Sequence, residues 1–264
     1  GLPVDLLPRR VLLVEDNPVN LKVATELLAR RGHHVEVART GAEAVDAVAR
    51  LPVDVVLMDV HLPVLAGLCA PRIIRERAHA SGRHVPIVAL TAGATVEDRE
   101  NSIAAGMNDF VSKPFRAAEL FAAVEGVPAE APDELHGDQD GRPAPPAGSE
   151  PCLDWQGALR NLEGDEEFLH ELSEMFLAQS PALLAAVEEA VSREEGDELR
   201  RAAHSLKGSA QVVGGKATAA AALALERLGH SEDFAEAGAV LNSLQANLAE
   251  LKVALLAAVQ KEDA

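Results

Sequence analysis

The chain has 264 residues, 48% of them apolar and 25% charged, and its 24 Lys and Arg against 42 Asp and Glu give a formal charge of −18. That length suits two domains at roughly 100–200 residues each, and the composition is that of a folded globular protein. The acidity and an aromatic content of only 3% exclude a cation-rich or base-stacking nucleic-acid binder.

In chain order, the apolar runs at 10–15, 34–38, 53–59, 84–90 and 109–112 read as strands. Val-rich runs without polar alternation suit strands covered on both faces of a parallel sheet. Between the first two lies a helical pattern, with Leu21, Val23, Ala24, Leu27 and Leu28 at helix spacing. Five such βα units predict a doubly wound α/β domain over residues 1–125: a five-stranded parallel sheet with its crevice at the carboxyl ends of the strands. Residues 126–151 hold six prolines and four glycines and read as a flexible acidic linker. Residues 152–264 show only helical periodicity and predict an all-α antiparallel bundle. There Pro181 is expected in the first turn of a helix, and Gly214–Gly215 at a helix end. The charge divides as −2, −5 and −11 over these three segments.

No apolar run approaches the ~18 residues of a membrane helix. No signal peptide opens the chain, and Gly1 in place of Met reads as the start of a fragment. A cytoplasmic location without membrane contact is expected. Cys69 and Cys152 form no CxxC pair, which argues against a disulfide framework or a zinc site.

The polar residues at the strand ends are Glu15, Asp16, Asp59, Thr91 and Lys113. Each alone reads as an ordinary loop residue. Together they bring three carboxylates, a hydroxyl and an ammonium to one sheet edge. Three carboxylates repel unless a cation sits among them, and oxygen ligands without His or Cys favour Mg2+. In the second domain, AHSLKGSA and the Gln211 that follows it place His204, Lys207, Gly208 and Gln211 on one helical face. The apolar stripe Leu199, Ala203, Leu206, Ala210 and Val213 turns His204 toward solvent. Lys207 lies one turn on, where it could bind a phosphate, and Gly208 opens the face to a partner.

VLLVEDNPVN, VVLMDVHLPVLAG, IVALTAG and DFVSKPF, in that order and spacing, resemble the receiver domain of two-component response regulators over about residues 9–124. The resemblance implies strand order 2-1-3-4-5 and Asp59 as phosphoacceptor. It implies Mg2+ held by Glu15, Asp16, Asp59 and the backbone carbonyl of His61. Thr91 and Lys113 would contact the transferred phosphoryl group, Phe110 would be the switch aromatic, and the Lys113–Pro114 bond would be cis. Ala66, where an acid is common, and Pro71 depart from the pattern.

LDWQGALRNLEGDEEFLHELSEMF, continuing through the LKG motif, resembles the histidine phosphotransfer (HPt) domain over about residues 152–258. The resemblance implies His204 as the phosphorylated imidazole, assisted by Lys207. Glu226 would accept a hydrogen bond from one ring nitrogen and leave the other to attack. Gln211 stands where the family often has Gly.

Together the two likenesses resemble the C-terminal part of a hybrid sensor histidine kinase and imply a phosphorelay. Asp59 would accept phosphoryl from a kinase phosphohistidine, and His204 would relay it to or from a receiver aspartate. The implied partners are the phosphohistidine domain of a kinase and a downstream response regulator receiver. No Gly-rich ATP site is present, so self-phosphorylation by ATP is not expected. The alternative is a docking module that binds a kinase without phosphotransfer; the acid–Thr–Lys set speaks against it. A Mg2+-dependent phosphatase would need a second acid after Asp59, where VH follows. Glu167 and His170 form a single Glu-x-x-His, too few ligands for a di-iron bundle. GGK at 214–216 lacks the flanking residues of a phosphate loop and reads as a turn. His33 and His34 read as solvated.

Overall fold

β1 (Arg10–Val14) is buried over its last four residues, as its unbroken apolar run requires. The computed structural model describes residues 7–60, 62, 70–80, 85–91, 107–126, 152–232 and 234–260. β1 is joined by β2 (His34–Ala38), β3 (Val55–Asp59), β4 (Ile87–Thr91) and β5 (Asp109–Ser112) in a wholly parallel sheet of order β2-β1-β3-β4-β5. Around it lie α1 (Pro18–Arg30), α2 (Gly41–Arg50), α3 (Ala70–Ala80) and α4 (Ala117–Glu125). All five β3 and all five β4 residues are buried, which explains why neither run alternates.

α1 starts where Pro18 supplies a preset φ and the Asn17 side chain accepts from the amides of Val19 and Asn20. Thr40 caps α2 in the same way, accepting from Glu43 N. The sheet face toward α2 and α3 closes over Leu12, Val56, Ile74 and Ile87. The opposite face, toward α1 and α4, closes over Leu13, Leu27, Leu57, Leu90 and Phe115. This second cluster continues without a break into the helical domain, through Phe168, Leu172, Leu206 and Leu225.

The helical domain comprises α5 (Trp155–Asn161), α6 (Glu166–Ser192), α7 (Gly196–Val212), α8 (Lys216–Ser231) and α9 (Ala237–Val259). α6 passes straight through Pro181, correcting the expectation that a new helix begins there. Pro181 has no N–H to give to Leu177 O four residues back. The hydroxyl of Ser180 donates to that carbonyl instead, at 3.2 Å. Twenty-seven helical residues with an apolar face carry one such defect without breaking.

The Lys113–Pro114 bond is cis, as the receiver likeness implies. His33 corrects its expectation. It is buried, its Nδ1 accepts from Arg9 N, and its Nε2 lies 3.4 Å from Glu125. His61, Ala66 and residues 127–151 lie outside the described residues.

Candidate functional site

Parallel register brings the strand ends together. Val14 pairs with Met58, so Glu15, the next residue, stands level with Asp59. Asp59 pairs with Leu90, so Thr91 is one step beyond, and Thr91 pairs with Ser112, so Lys113 follows. The Lys113 amide donates to Thr91 O at 2.7 Å, extending the ladder into the crevice.

Lys113 Nζ donates to Glu15 Oε2 at 2.5 Å and to Asp59 Oδ2 at 2.7 Å. All three groups are buried, as is Thr91. Asp16 is exposed at the rim, yet one carboxylate oxygen from each of Glu15, Asp16 and Asp59 falls within 4.8 Å of the others. One ammonium does not neutralise three carboxylates. Burial, with the Asp59 charge adding to it and Lys113 opposing, pushes Glu15 up to about 7. Burial and Asp59 also raise Asp16. Lys113 is opposed by burial but held above its ordinary value by Asp59 and Glu15 together. Glu15 Oε1 accepts from the Asn17 amide and from Asn20 Nδ2. Phe110, on β5, is half-buried against the α2–α3 side core.

In the bundle, His204 Nδ1 lies 2.7 Å from Glu226 Oε1 on α8, and Lys207 Nζ donates to Glu226 Oε2 at 2.5 Å. One carboxylate thus binds both His204 and Lys207. Burial alone would raise Glu226; the hydrogen bond and charge of His204, with Lys207, outweigh it and pull the carboxyl down to about 2. The expectation that His204 faces open solvent is corrected. Its side chain is only 12% exposed, because Glu226 draws the ring onto the bundle while α7 packs along α1 of the first domain. Lys207 is buried, with its Nζ on Glu226. His170 stacks obliquely near Trp155, ring centroids 5.1 Å apart, in keeping with a packing role.

The two halves meet along α1. Asn17 Nδ2 donates to Ser205 O at 2.9 Å and Ser209 Oγ at 2.8 Å. A Cβ on Gly208 would stand 3.1 Å from Asn20 Nδ2. Lys22 pairs with Glu171 at 2.9 Å, Arg30 pairs with Asp165, and the Arg30 guanidinium lies over the Phe168 ring. The sequence reading missed Asn17, Asn20, Lys22, Arg30, Asp165, Glu171, Ser205 and Ser209. Asn17 and Asp165 are N-cap residues, a pattern that speaks of helix starts alone.

The response regulator receiver domain model matches residues 11–125, and the Hpt domain model matches residues 171–254. The chain carries a receiver domain followed by an Hpt domain. The pair places it in two-component phosphorelay signalling. The signal transduction histidine-protein kinase BarA of Shigella flexneri is 30% identical over 214 residues, covering 79% of this chain and 22% of that protein. Hybrid signal transduction histidine kinase I of Dictyostelium discoideum is 36% identical over 124 residues, covering 45% of this chain and 7% of that protein. The chain therefore spans less than a quarter of either relative. Among solved structures, the receiver domain of sensor histidine kinase PA1611 from Pseudomonas aeruginosa PAO1 was crystallised with a magnesium ion in its active site cleft. It is 46% identical, covers 46% of this chain and 99% of that chain, and has a TM-score of 0.40. Among the described residues, no helix is long and apolar enough to cross a membrane.

Proposed function

We propose that Asp59 accepts a phosphoryl group from a kinase phosphohistidine and that His204 takes it up for relay to another receiver aspartate. The observation that carries this reading is the pairing of two prepared groups. A buried carboxylate is held by Lys113, and an imidazole is held at Nδ1 by Glu226. A carboxylate is an adequate nucleophile toward phosphoryl already activated on imidazole. Such transfer is loose and needs chiefly alignment and positive charge at the equatorial oxygens. Lys113, bonded to Asp59, supplies part of that charge. Thr91, at the end of the neighbouring strand, is assigned a hydrogen bond to the same group. Glu226 fixes the proton on Nδ1, so that Nε2 carries the phosphoryl group, and steadies the cationic product.

The acidic cluster fits Mg2+. Three hard oxygen donors lie within 4.8 Å of one another, and the single ammonium of Lys113 beside them leaves a net negative charge for a cation to meet. Glu15, Asp16 and Asp59 would hold the ion, with the His61 carbonyl assigned by the receiver likeness alone. When bound, the ion supplies further positive charge to the equatorial oxygens. The proposed partners are a kinase phosphohistidine domain and a separate receiver, with the reaction in the cytoplasm.

Labelling with radioactive acetyl phosphate and Mg2+ tests the reading. Base-labile label should appear on Asp59 and be lost in Asp59→Ala; acid-labile label should appear on His204 and be lost in His204→Ala. Undiminished label in a double Asp59→Ala, His204→Ala chain would overturn it.

A further inference from the structure

Away from the crevice, the described residues line an open cavity of about 470 Å3 with walls from both domains. The receiver contributes Arg116, the residue ahead of α4, and the first turn of that helix. The bundle contributes α5 and the turn between α7 and α8, with Asp154, Arg160, Gln211 and Lys216. Two sequence features that the relay leaves unused meet here: Gln211, which departs from the HPt pattern, and the GGK turn. Gly214 has a φ of 82°, and a Cβ on it would stand 2.5 Å from Asp154 O, so glycine lets the turn close on the start of α5. The Asp154 amide donates to Gly214 O at 2.9 Å. The Asp154 carboxylate takes Lys216 Nζ at 2.8 Å and fixes that ammonium at the wall.

The cavity gathers three cations, Arg116, Arg160 and Lys216, in a chain of net charge −18. Lys216 is shared with Asp154 and Arg116 with Glu119, whereas Arg160 is exposed and forms no salt bridge among the described residues. No side chain caps α4 or α8, so the first amides of both helices add partial positive charge. Gln211 Oε1 is buried without a hydrogen-bond partner among the described residues, a costly state that a donor on a ligand relieves. The volume falls in the range of small-molecule sites, roughly 300–1,000 Å3, and exceeds what a bare phosphate fills.

We infer that the cavity binds a small hydroxylated phosphomonoester such as a sugar phosphate. Arg116, Arg160 and Lys216 surround the phosphate, and the Gln211 amide oxygen accepts from a ligand hydroxyl. The two guanidinium forks match phosphate oxygens. Asp154 and Glu163 also line the cavity, so a bare anion gains little there and the hydroxyl contact decides selectivity. Because the walls come from both domains, the ligand fits while the bundle rests on the receiver, and occupancy favours that arrangement by mass action.

The test titrates the full chain with ribose 5-phosphate and glycerol 3-phosphate by calorimetry. Trp155, the sole tryptophan and the first residue of α5, serves as a fluorescent reporter beside the cavity. Saturable binding is expected, with ribose and inorganic phosphate each about tenfold weaker than ribose 5-phosphate. Arg116→Glu and Arg160→Glu should each weaken the phosphomonoester about tenfold or more. Both positions are exposed, and a melt of each variant shows that the fold is kept. Gln211→Leu should abolish the preference over inorganic phosphate. Arg193→Glu, a charge reversal away from the cavity, should change nothing. No saturable binding of either phosphomonoester at millimolar concentration would overturn the inference, as would wild-type affinity in a folded Arg160→Glu chain. Wild-type affinity in Arg116→Glu would overturn the bridging of the two domains. Equal binding of inorganic phosphate would overturn the hydroxyl contact assigned to Gln211.

Discussion

Asn17 and Ser209 are joined across the seam at 2.8 Å by the same amide whose oxygen caps α1. Oδ1 serves the receiver's own backbone and Nδ2 serves the bundle, so one side chain belongs to two structures at once. The two roles separate by substitution. Asn17→Ser keeps a capping oxygen but lacks the reach to Ser209. It should leave receiver stability within a few tenths of a kcal/mol and slow Asp59-to-His204 transfer. Asn17→Ala should also cost about 1 kcal/mol of receiver stability. Thermal melting beside transfer kinetics distinguishes them; equal melting temperatures for the two variants would refute the capping role.

Gly208 tests how closely the helices must approach. An added methyl would sit 3.1 Å from Asn20 Nδ2, the end of a side chain that can shift. Gly208→Ala should therefore slow transfer modestly. Gly208→Glu, adding bulk and negative charge beside Asn20, should block it, while the helix content seen by circular dichroism is unchanged. Full transfer by a folded Gly208→Glu chain would show that this face is not the one that docks.

Glu226 gives a pH signature. Its carboxyl is drawn down to about 2 in the folded bundle and lies near 4.5 unfolded. The unfolded state therefore binds the proton more readily as acid is added. The stability from this carboxylate is fully present above pH ~4.5 and disappears as pH falls through about 2. Wild type should lose stability across that window relative to Glu226→Gln, whose contribution there is flat. Urea titrations of both chains between pH 2 and 6 check it, and parallel curves would contradict the assignment.

Asp16→Ala should abolish Mg2+-dependent labelling of Asp59 and leave the fold unchanged, because Asp16 is exposed and is one of the three carboxylates clustered there among the described residues. Acetyl phosphate labelling and a melt of the same sample suffice. Labelling at the wild-type rate would remove Asp16 from the ion's ligands.

Ser180→Ala should destabilise the bundle by about 1 kcal/mol, because Leu177 O loses the hydroxyl that stands in for the N–H missing at Pro181. Melting of the full chain reads it, and an unchanged bundle transition would show that the carbonyl was satisfied another way.

Local patterns were readable where one rule governed them. The Val-rich runs became the strands within two or three residues at each end, since burial on both faces leaves no other composition. Glu15, Asp16, Asp59 and Lys113 converge because parallel register puts strand ends level. Glu226 came through the HPt likeness, and the structure sets it against His204 from the adjoining helix. What escaped was nonlocal. Pro181 reads as a breaker until Ser180 is seen to replace its bond. His33 looks solvated until Arg9 and Glu125 enclose it. Lys22, Arg30, Asp165 and Glu171 are indistinguishable in sequence from any solvated charge, and only packing tells them apart.

Asn17 and Asp165 both close the first turn of a helix with oxygens that stay in place when the seam parts. Separation removes Asn17 Nδ2 from Ser209 and Arg30 from Asp165, but it exposes no helix start to fraying. Neither face has to refold before its next encounter. Release and recapture then cost only the contacts at the seam, and the joint behaves as a latch whose two halves keep their shape when open.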